Sequence, residues 1–190
     1  MLTIRTATLQ DISAVMDVLD AGRDIMLASG NPNQWAAGYP TRDMVLSDIS
    51  HGYGKVMETA GEVAAYFACI PSPDPTYAII ENGAWLDDEK PYYVVHRIAS
   101  YPVVHGVFQT MMSYLDGITD NIRIDTHRDN HIMQHNLAKY GFQYCGIIHI
   151  ASGAERLAYQ RLKPLQPTGN ACAGTGSNAR PGDYAEGKRP

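Results

Sequence analysis

The chain has 190 residues, 45% hydrophobic and 18% charged, with a formal charge of −5. That length suits one domain with a sizeable core rather than two, and the composition is that of a globular chain, not a disordered one. The acidic balance argues against a general nucleic-acid binder, which needs a net basic face, while an anionic ligand held by local N–H groups stays compatible with it.

In chain order, Leu2 to Ala7 reads as a first strand. Thr8-Leu9-Gln10-Asp11 offers a capping signal, and Ile12, Val15, Met16, Val18 and Leu19 then recur at helical spacing. Residues Ser29 to Pro40 form a polar loop bearing Trp35 and Tyr39, followed by a short helix from Arg42 to Ile49. Gly54–Thr59 and Glu62–Cys69 are strand-like runs joined by Ala60-Gly61, a hairpin signal. Pro71, Pro73 and Pro75 cannot lie inside a sheet, so a long excursion is expected to about Glu89.

Tyr92 to Ser100, rich in Tyr and Val, is the strongest strand. Alternation assigns Tyr92, Val94, His96, Ile98 and Ser100 to one face and Tyr93, Val95, Arg97 and Ala99 to the other. A helix over Gly106–Leu115 would bury Val107, Phe108, Met111, Met112 and Leu115. The remaining elements are an Asn121–Asp125 strand, a helix from Asn130, a Phe142–Ile148 strand and a last strand near Arg156–Leu162. From Pro164 onward Pro, Gly, Ala, Ser and Asn dominate. Residues 164–190 are therefore expected to form a disordered tail, because they cannot bury enough surface to offset their ordering entropy.

The longest apolar run, Val63 to Ile70, falls far below the roughly 18 residues of a membrane span, so no membrane association is expected. Met1-Leu2-Thr3-Ile4-Arg5 lacks the basic start and apolar core of a signal segment. Of the cysteines Cys69, Cys145 and Cys172, none forms a CxxC pair, and the first two sit in apolar strand-like runs as buried free thiols. A reducing cytoplasm is the matching compartment.

The densest information lies between Asp125 and Phe142. A strand end leads to Asp129, a good N-cap, and then to Ile132, Met133, Leu137 and Tyr140 in one apolar stripe. Gly141 supplies a left-handed stop, and Phe142 restarts a strand. His127, His131 and His135 recur every four residues, but the last two lie opposite the stripe and no HExxH glutamate accompanies them. They read as a solvated polar face, and no metal is expected. No Gly-x-Ser-x-Gly elbow, Walker loop or GxGxxG loop is present.

A strand feeding an Asn-headed helix that stops at Gly141-Phe142 resembles the C-terminal half of the GNAT acyl-CoA N-acyltransferases. The order of elements over residues 1–163 resembles the whole of that fold, a mixed α/β (α+β) domain with a mixed central sheet flanked by helices. The resemblance implies an acetyl-CoA-dependent N-acetyltransferase that moves the acetyl group to a primary amine of a small or amino-acid-like acceptor. Transfer would be by direct attack in a ternary complex. The alternative is a GNAT-fold module that binds acyl-CoA or another ligand with little transfer. Many members pair as dimers, which makes a homodimer one expectation.

Carried over residue by residue, the resemblance places the coenzyme loop at Val103-Val104-His105-Gly106-Val107-Phe108, with Gly106 matching the middle glycine of the Arg/Gln-x-x-Gly-x-Gly/Ala pattern. Val103 stands where Arg or Gln is usual, and Phe108 where Gly or Ala is usual. Ile98 and Ser100 fall on the stretch that meets the acetyl group and the coenzyme arm. Asn130 either contacts that arm or only caps its helix. Leu137 holds the place of the tyrosine that often protonates the departing thiolate, so no general acid is assigned. His96 is the candidate base, because an imidazole titrates near neutrality; the alternative is a buried histidine bonded to backbone. Arg97 suits an ion pair, with Asp125 as one partner across the sheet; the alternative is that it lines the acceptor site. Trp35 and Tyr39, together with Tyr77, Glu81 and Trp85 of the excursion, are candidate walls of the acceptor pocket, though either tryptophan could plug the core.

Overall fold

The computed structural model describes residues 1–163, so Cys172 and the expected tail over 164–190 lie outside the described residues. Segments with period-two and period-3.6 patterns fold as β1 (Thr3–Thr6), α1 (Ile12–Ala28), α2 (Arg42–Ser50), β2 (Gly54–Thr59), β3 (Glu62–Pro71), β4 (Tyr93–Ser100), α3 (Val107–Leu115), β5 (Asn121–Thr126), α4 (His131–Lys139), β6 (Gln143–His149) and β7 (Glu155–Leu162). The strands make one seven-stranded sheet in the order β1-β2-β3-β4-β5-β7-β6. Neighbours are antiparallel except β4 and β5, which α3 connects as a crossover. Ala60 (φ 53°) and Gly61 (φ 83°) make the β2–β3 turn with two left-handed residues, the geometry that suits a two-residue hairpin.

The helices cover both faces. On one side α1 buries Val15, Val18, Leu19 and Gly22, a single helical stripe, and α2 adds Val45. Gly22 is required by close approach: a Cβ there would sit 2.7 Å from the Cβ of Ala99 on β4. On the other side Phe108, Met111, Met112 and Leu115 of α3 and Leu137 of α4 pack over Phe67, Cys69, Val95, Ile122 and Ile124. Each large side chain buried this way stabilises the fold by roughly 1.5–3 kcal/mol. Cys69 and Cys145 are free and buried, as their apolar settings imply, and burial pushes the Cys69 thiol up to about 12. Among the described residues no helix is long and apolar enough to cross a membrane.

The proline-rich excursion between β3 and β4 is fastened onto the sheet. Arg123 of β5 is wholly buried, with its guanidinium 4.0 Å from the Trp85 ring and 3.8 Å from the Tyr92 ring. It also donates to the Asp87 carbonyl (2.9 Å) and to Asp88 (2.8 Å). Gln160 of β7 accepts from the Leu86 N–H (2.6 Å), and Glu81 pairs with Ile147 of β6 through two 2.8 Å backbone bonds. Tyr77 stacks on Trp85 with ring centroids 5.6 Å apart. This corrects the expectation for Tyr77, Glu81 and Trp85: they build a third apolar cluster or pair with β6, and none lines the cleft described below.

Two local expectations are also revised. Simple alternation along β4 fails at Arg97, whose φ is 57°. Ala68 pairs with His96 and Tyr66 with Ala99, so Arg97 and Ile98 together oppose Phe67 alone, which is a β-bulge. The extra residue moves Ile98 off the face of His96 to pack with the α3 cluster, on the side of Val95. At α4 the cap is Asn130 rather than Asp129: the Asn130 side chain accepts from the Met133 N–H at 3.0 Å. Leu137 is fully buried and Met133 and Tyr140 pack beside it, whereas Ile132 is exposed.

Candidate active site

β4 and β5 are paired only at Tyr93–Ile122 and Val94–Arg123; beyond Val94 they part. The gap opens into a cleft of about 670 Å³, a volume suited to a small-molecule site. His96, Ile98, Asn130, Trp35 and Tyr39 all line it, drawn from β4, the α4 cap and the α1–α2 loop. Ser100, Val104, His105, Gly106, Val107 and Phe108 lie outside that lining. Trp35 and Tyr39 meet edge to face with centroids 6.0 Å apart, and Trp35 is buried against α1 as well, so it serves both as wall and as core.

His96 stands between two carboxylates. Its Nε2 is 2.9 Å from Asp74 Oδ2 and its Nδ1 is 3.9 Å from Asp125 Oδ1. Asp74 sits in the excursion, where its other oxygen accepts the Thr76 N–H at 2.9 Å. Burial pushes the Asp74 carboxyl up, but the hydrogen bonds from His96 and Thr76 outweigh it and hold the group below the usual range. A carboxylate can only accept, so a neutral His96 carries its proton on Nε2. Its Nδ1 lone pair then faces Asp125 across a gap too long for a hydrogen bond. Asp125 Oδ1 accepts from the Tyr77 hydroxyl at 2.7 Å, and its Oδ2 lies 3.8 Å from Arg156 Nε. Burial, reinforced by Asp125, raises the Tyr77 hydroxyl well above its ordinary value, so Tyr77 is a neutral donor there.

Arg97 has the ion pair its position in a central strand demanded, but with Asp48 of α2 rather than Asp125. Arg97 Nε and Nη2 reach Asp48 at 2.8 and 2.6 Å, and the Tyr66 hydroxyl adds a third bond at 2.8 Å. Burial lowers the Arg97 pKa and Asp48 more than restores it, which keeps the guanidinium charged. This clamp holds a non-glycine residue in the left-handed region right at the bulge.

Gln34 joins the two sides of the split. Its side-chain oxygen accepts from the Thr126 hydroxyl (3.1 Å), the His127 N–H (2.8 Å) and Asn130 Nδ2 (3.2 Å), while its carbonyl accepts from Arg156 (2.9 Å). Both ends of the Asn130 amide are therefore engaged within the protein, one on the helix and one on Gln34. His131 and His135 are exposed, as their place opposite the stripe implied.

Beyond β4, α3 begins at Gly106, whose φ is 79°, with no side-chain cap. The N–H groups of His105 and Gly106 donate to no backbone carbonyl, and those of the first helical turn have no partner within a helix. Val104 differs, since its N–H bonds the Tyr101 carbonyl at 3.1 Å. Val103 is 81% exposed and Phe108 only 9%, with its ring 5.1 Å from that of Tyr140. Of the two departures from the glycine pattern, Val103 thus lies in solvent and Phe108 in the core.

Asp74, Asp48, Gln34 and Arg156 were not singled out from the sequence. Gln34 lies in a loop that was noted for its aromatics, and Asp74 among prolines. Neither spacing hints at partners that stand 22 residues from Asp74 and 92 to 96 residues from Gln34.

No family model and no curated protein matches the chain. Among solved structures it is similar to an acetyltransferase of the GNAT family from Streptococcus agalactiae 2603, at 35% identity and a TM-score of 0.77, covering 85% of this chain and 95% of that one. It also shares its fold with a GNAT-family acetyltransferase from Listeria monocytogenes 4b F2365 (21% identity, TM-score 0.63, 85% and 94% covered). A third, from Bacillus cereus ATCC 10987, has 17% identity, a TM-score of 0.56, and 86% and 98% covered. The split sheet, the uncapped helix start beyond β4 and a relative this similar over most of both chains lead to one assignment: the protein belongs to the GNAT family of acetyltransferases.

Proposed function

We propose that this protein is an acetyl-CoA-dependent N-acetyltransferase acting on a primary amine by direct attack within a ternary complex. The observation that carries the reading is His96, set in the cleft between Asp74 and Asp125, with an Nδ1 that makes no hydrogen bond among the described residues. An amine arrives as an ammonium and must lose a proton before it attacks. His96 Nδ1 accepts that proton, and Asp74 on the far nitrogen stabilises the imidazolium. The neutral nitrogen then bonds to the thioester carbon, the carbon–sulfur bond breaks, and the departing coenzyme A thiolate or water takes the second proton that the new amide nitrogen sheds.

Ile98, on the bulged stretch, presents the N–H for the developing oxyanion. The free amides of His105 to Phe108 receive the pyrophosphate at the start of α3, where the helix dipole favours an anion. Ser100 continues the strand from Ile98 toward that loop. Asn130 belongs in this scheme as the cap that fixes the far wall, since its amide is already committed. Trp35 and Tyr39 wall the acceptor side. Leu137, fully buried where a tyrosine hydroxyl is common in the family, favours the second reading, a binding module with weak transfer.

Calorimetry and thiol release on wild type and His96→Ala separate these. The expected result is acetyl-CoA binding by both chains, with transfer by the variant down about 10²–10⁴-fold. Full activity of the variant across pH would remove His96 from the scheme. Absence of acetyl-CoA binding by the folded wild type would overturn the enzyme reading.

A further inference from the structure

The charged groups that line the cleft are Asp74, His96, Arg97, Asp125 and Arg156. Both arginines are already committed. Arg97 lies on Asp48 through two bonds of 2.8 and 2.6 Å, and the two side chains are only 7% and 6% exposed. Arg156, also buried, has its terminal nitrogens on the carbonyls of Glu155 and Gln34, with Nε beside Asp125. Among the described residues Asp74 pairs with no lysine or arginine; its partner is His96. With Asp48 counted beside the lining groups, three carboxylates face two guanidiniums. While His96 is neutral the cleft therefore holds one negative charge in excess, next to the Nδ1 lone pair. The other walls mix apolar side chains, Met26 and Met44 from the two helices, Trp35 from their loop and Ile70 from β3, with uncharged polar ones such as Gln34, Thr126 and Asn130.

We propose that the acceptor is a monocationic amine on an apolar aliphatic or arylalkyl body that carries no carboxylate. The inference rests on the N-acetyltransferase reading and narrows it, since an amino-acid acceptor was equally open on the sequence. The ammonium neutralises the excess charge and sits where it can donate to His96 Nδ1 and Asp125. A second, anionic group on the acceptor would lose water in the cleft, and among the described residues that line it no uncommitted cation would meet it. Arg97 Nη1 makes no hydrogen bond among the described residues, but the charge behind it is balanced by Asp48.

The test uses the full chain, acetyl-CoA, and matched acceptors read by thiol release: 2-phenylethylamine, phenylalanine and phenylalaninamide, and 3-methylbutylamine against leucine. The expected result is kcat/KM for each amine about 100-fold or more above that of its amino acid. Phenylalaninamide, as bulky as phenylalanine but without its charge, should group with the amine. Amino acids turned over as well as the amines would overturn the inference while leaving the transferase reading in place, and would assign Arg97 Nη1 to the carboxylate. An amide as poor as the acid would overturn the charge argument in favour of size. No turnover of any of them, with the protein folded, would overturn both readings together.

Discussion

Asp48→Asn tests whether the bulge of β4 is held by the clamp on Arg97. The substitution keeps the volume and removes the charge. Asp48 and Arg97 are 6% and 7% exposed, so the guanidinium would be left inside the protein with no anion to face. It would also lose two charge-assisted bonds, of 2.8 and 2.6 Å, and the Tyr66 hydroxyl would lose its acceptor at 2.8 Å. Breaking one side of a buried pair costs about 3–5 kcal/mol, against 0–1 kcal/mol for an exposed one. For a domain near the 163 described residues that corresponds to a melting temperature lower by about 10 °C. Arg97 adds strain of its own, because a non-glycine at φ 57° costs roughly 1–3 kcal/mol that the clamp must overcome. Adding Arg97→Gly to Asp48→Asn removes the stranded cation and relaxes that φ together. The double variant should therefore recover about half of the loss. Urea unfolding followed by near-ultraviolet circular dichroism gives both numbers. A single variant that loses less than about 1 kcal/mol, or a double variant no better than the single, would refute the clamp.

Tyr77→Phe keeps the ring on Trp85 and removes the 2.7 Å bond to Asp125, a buried hydrogen bond to a charged group. The expected cost is about 1.5–3 kcal/mol in urea unfolding, and a change within 0.5 kcal/mol would show that Asp125 does not depend on it. Acid stability should follow Asp11 and Asp74. Hydrogen bonds from Arg5 above all hold Asp11 below the usual carboxylate range, and the His96 and Thr76 bonds outweigh burial at Asp74. Both carboxyls bind protons less readily folded than unfolded. Their contribution is therefore complete above about pH 4 and is lost as pH falls through the folded values. The urea midpoint should fall steeply below about pH 4, and Asp11→Asn should make that fall shallower. An unchanged acid profile in the variant would rule out its part in it.

The elements were legible because their signals are local. The Ile12–Val15–Met16–Val18–Leu19 spacing, the Ala60-Gly61 turn and the Gly141 stop each fix their own few residues. The GNAT arrangement followed from their order. What escaped is long-range or against local preference. No glycine marks the bulge at Arg97, so alternation wrongly grouped Ile98 with His96. Arg97 was read as one half of an ion pair, and the partner lay on α2, which a strand-to-strand argument does not reach. Asp129 and Asn130 are both good caps, and only the register of the turn, in which Asn130 meets the Met133 N–H, separates them. The proline-rich excursion was read as chain outside the sheet from Pro71 on; Pro71 instead ends β3, paired with Tyr93 at its rim, and Glu81 bridges to Ile147 of β6. Two of its aromatics, Trp85 and Tyr92, turned out to grip Arg123, and Asp74, one of its acidic residues, became the partner of His96. In the coenzyme loop the exposure of Val103 and the inward turn of Phe108 depend on the packing of α3, which spacing alone does not describe.

The amide oxygen of Gln34 has a consequence for the order in which ligands are felt. One atom receives donors from Thr126, His127 and Asn130, while its own loop carries Trp35 and Tyr39. A molecule that shifts the loop on arrival strains those three bonds, and one that moves the start of α4 strains them from the other side. The free energy of that strain is common to both events. Each ligand must then alter the other's affinity by the same factor, whichever binds first.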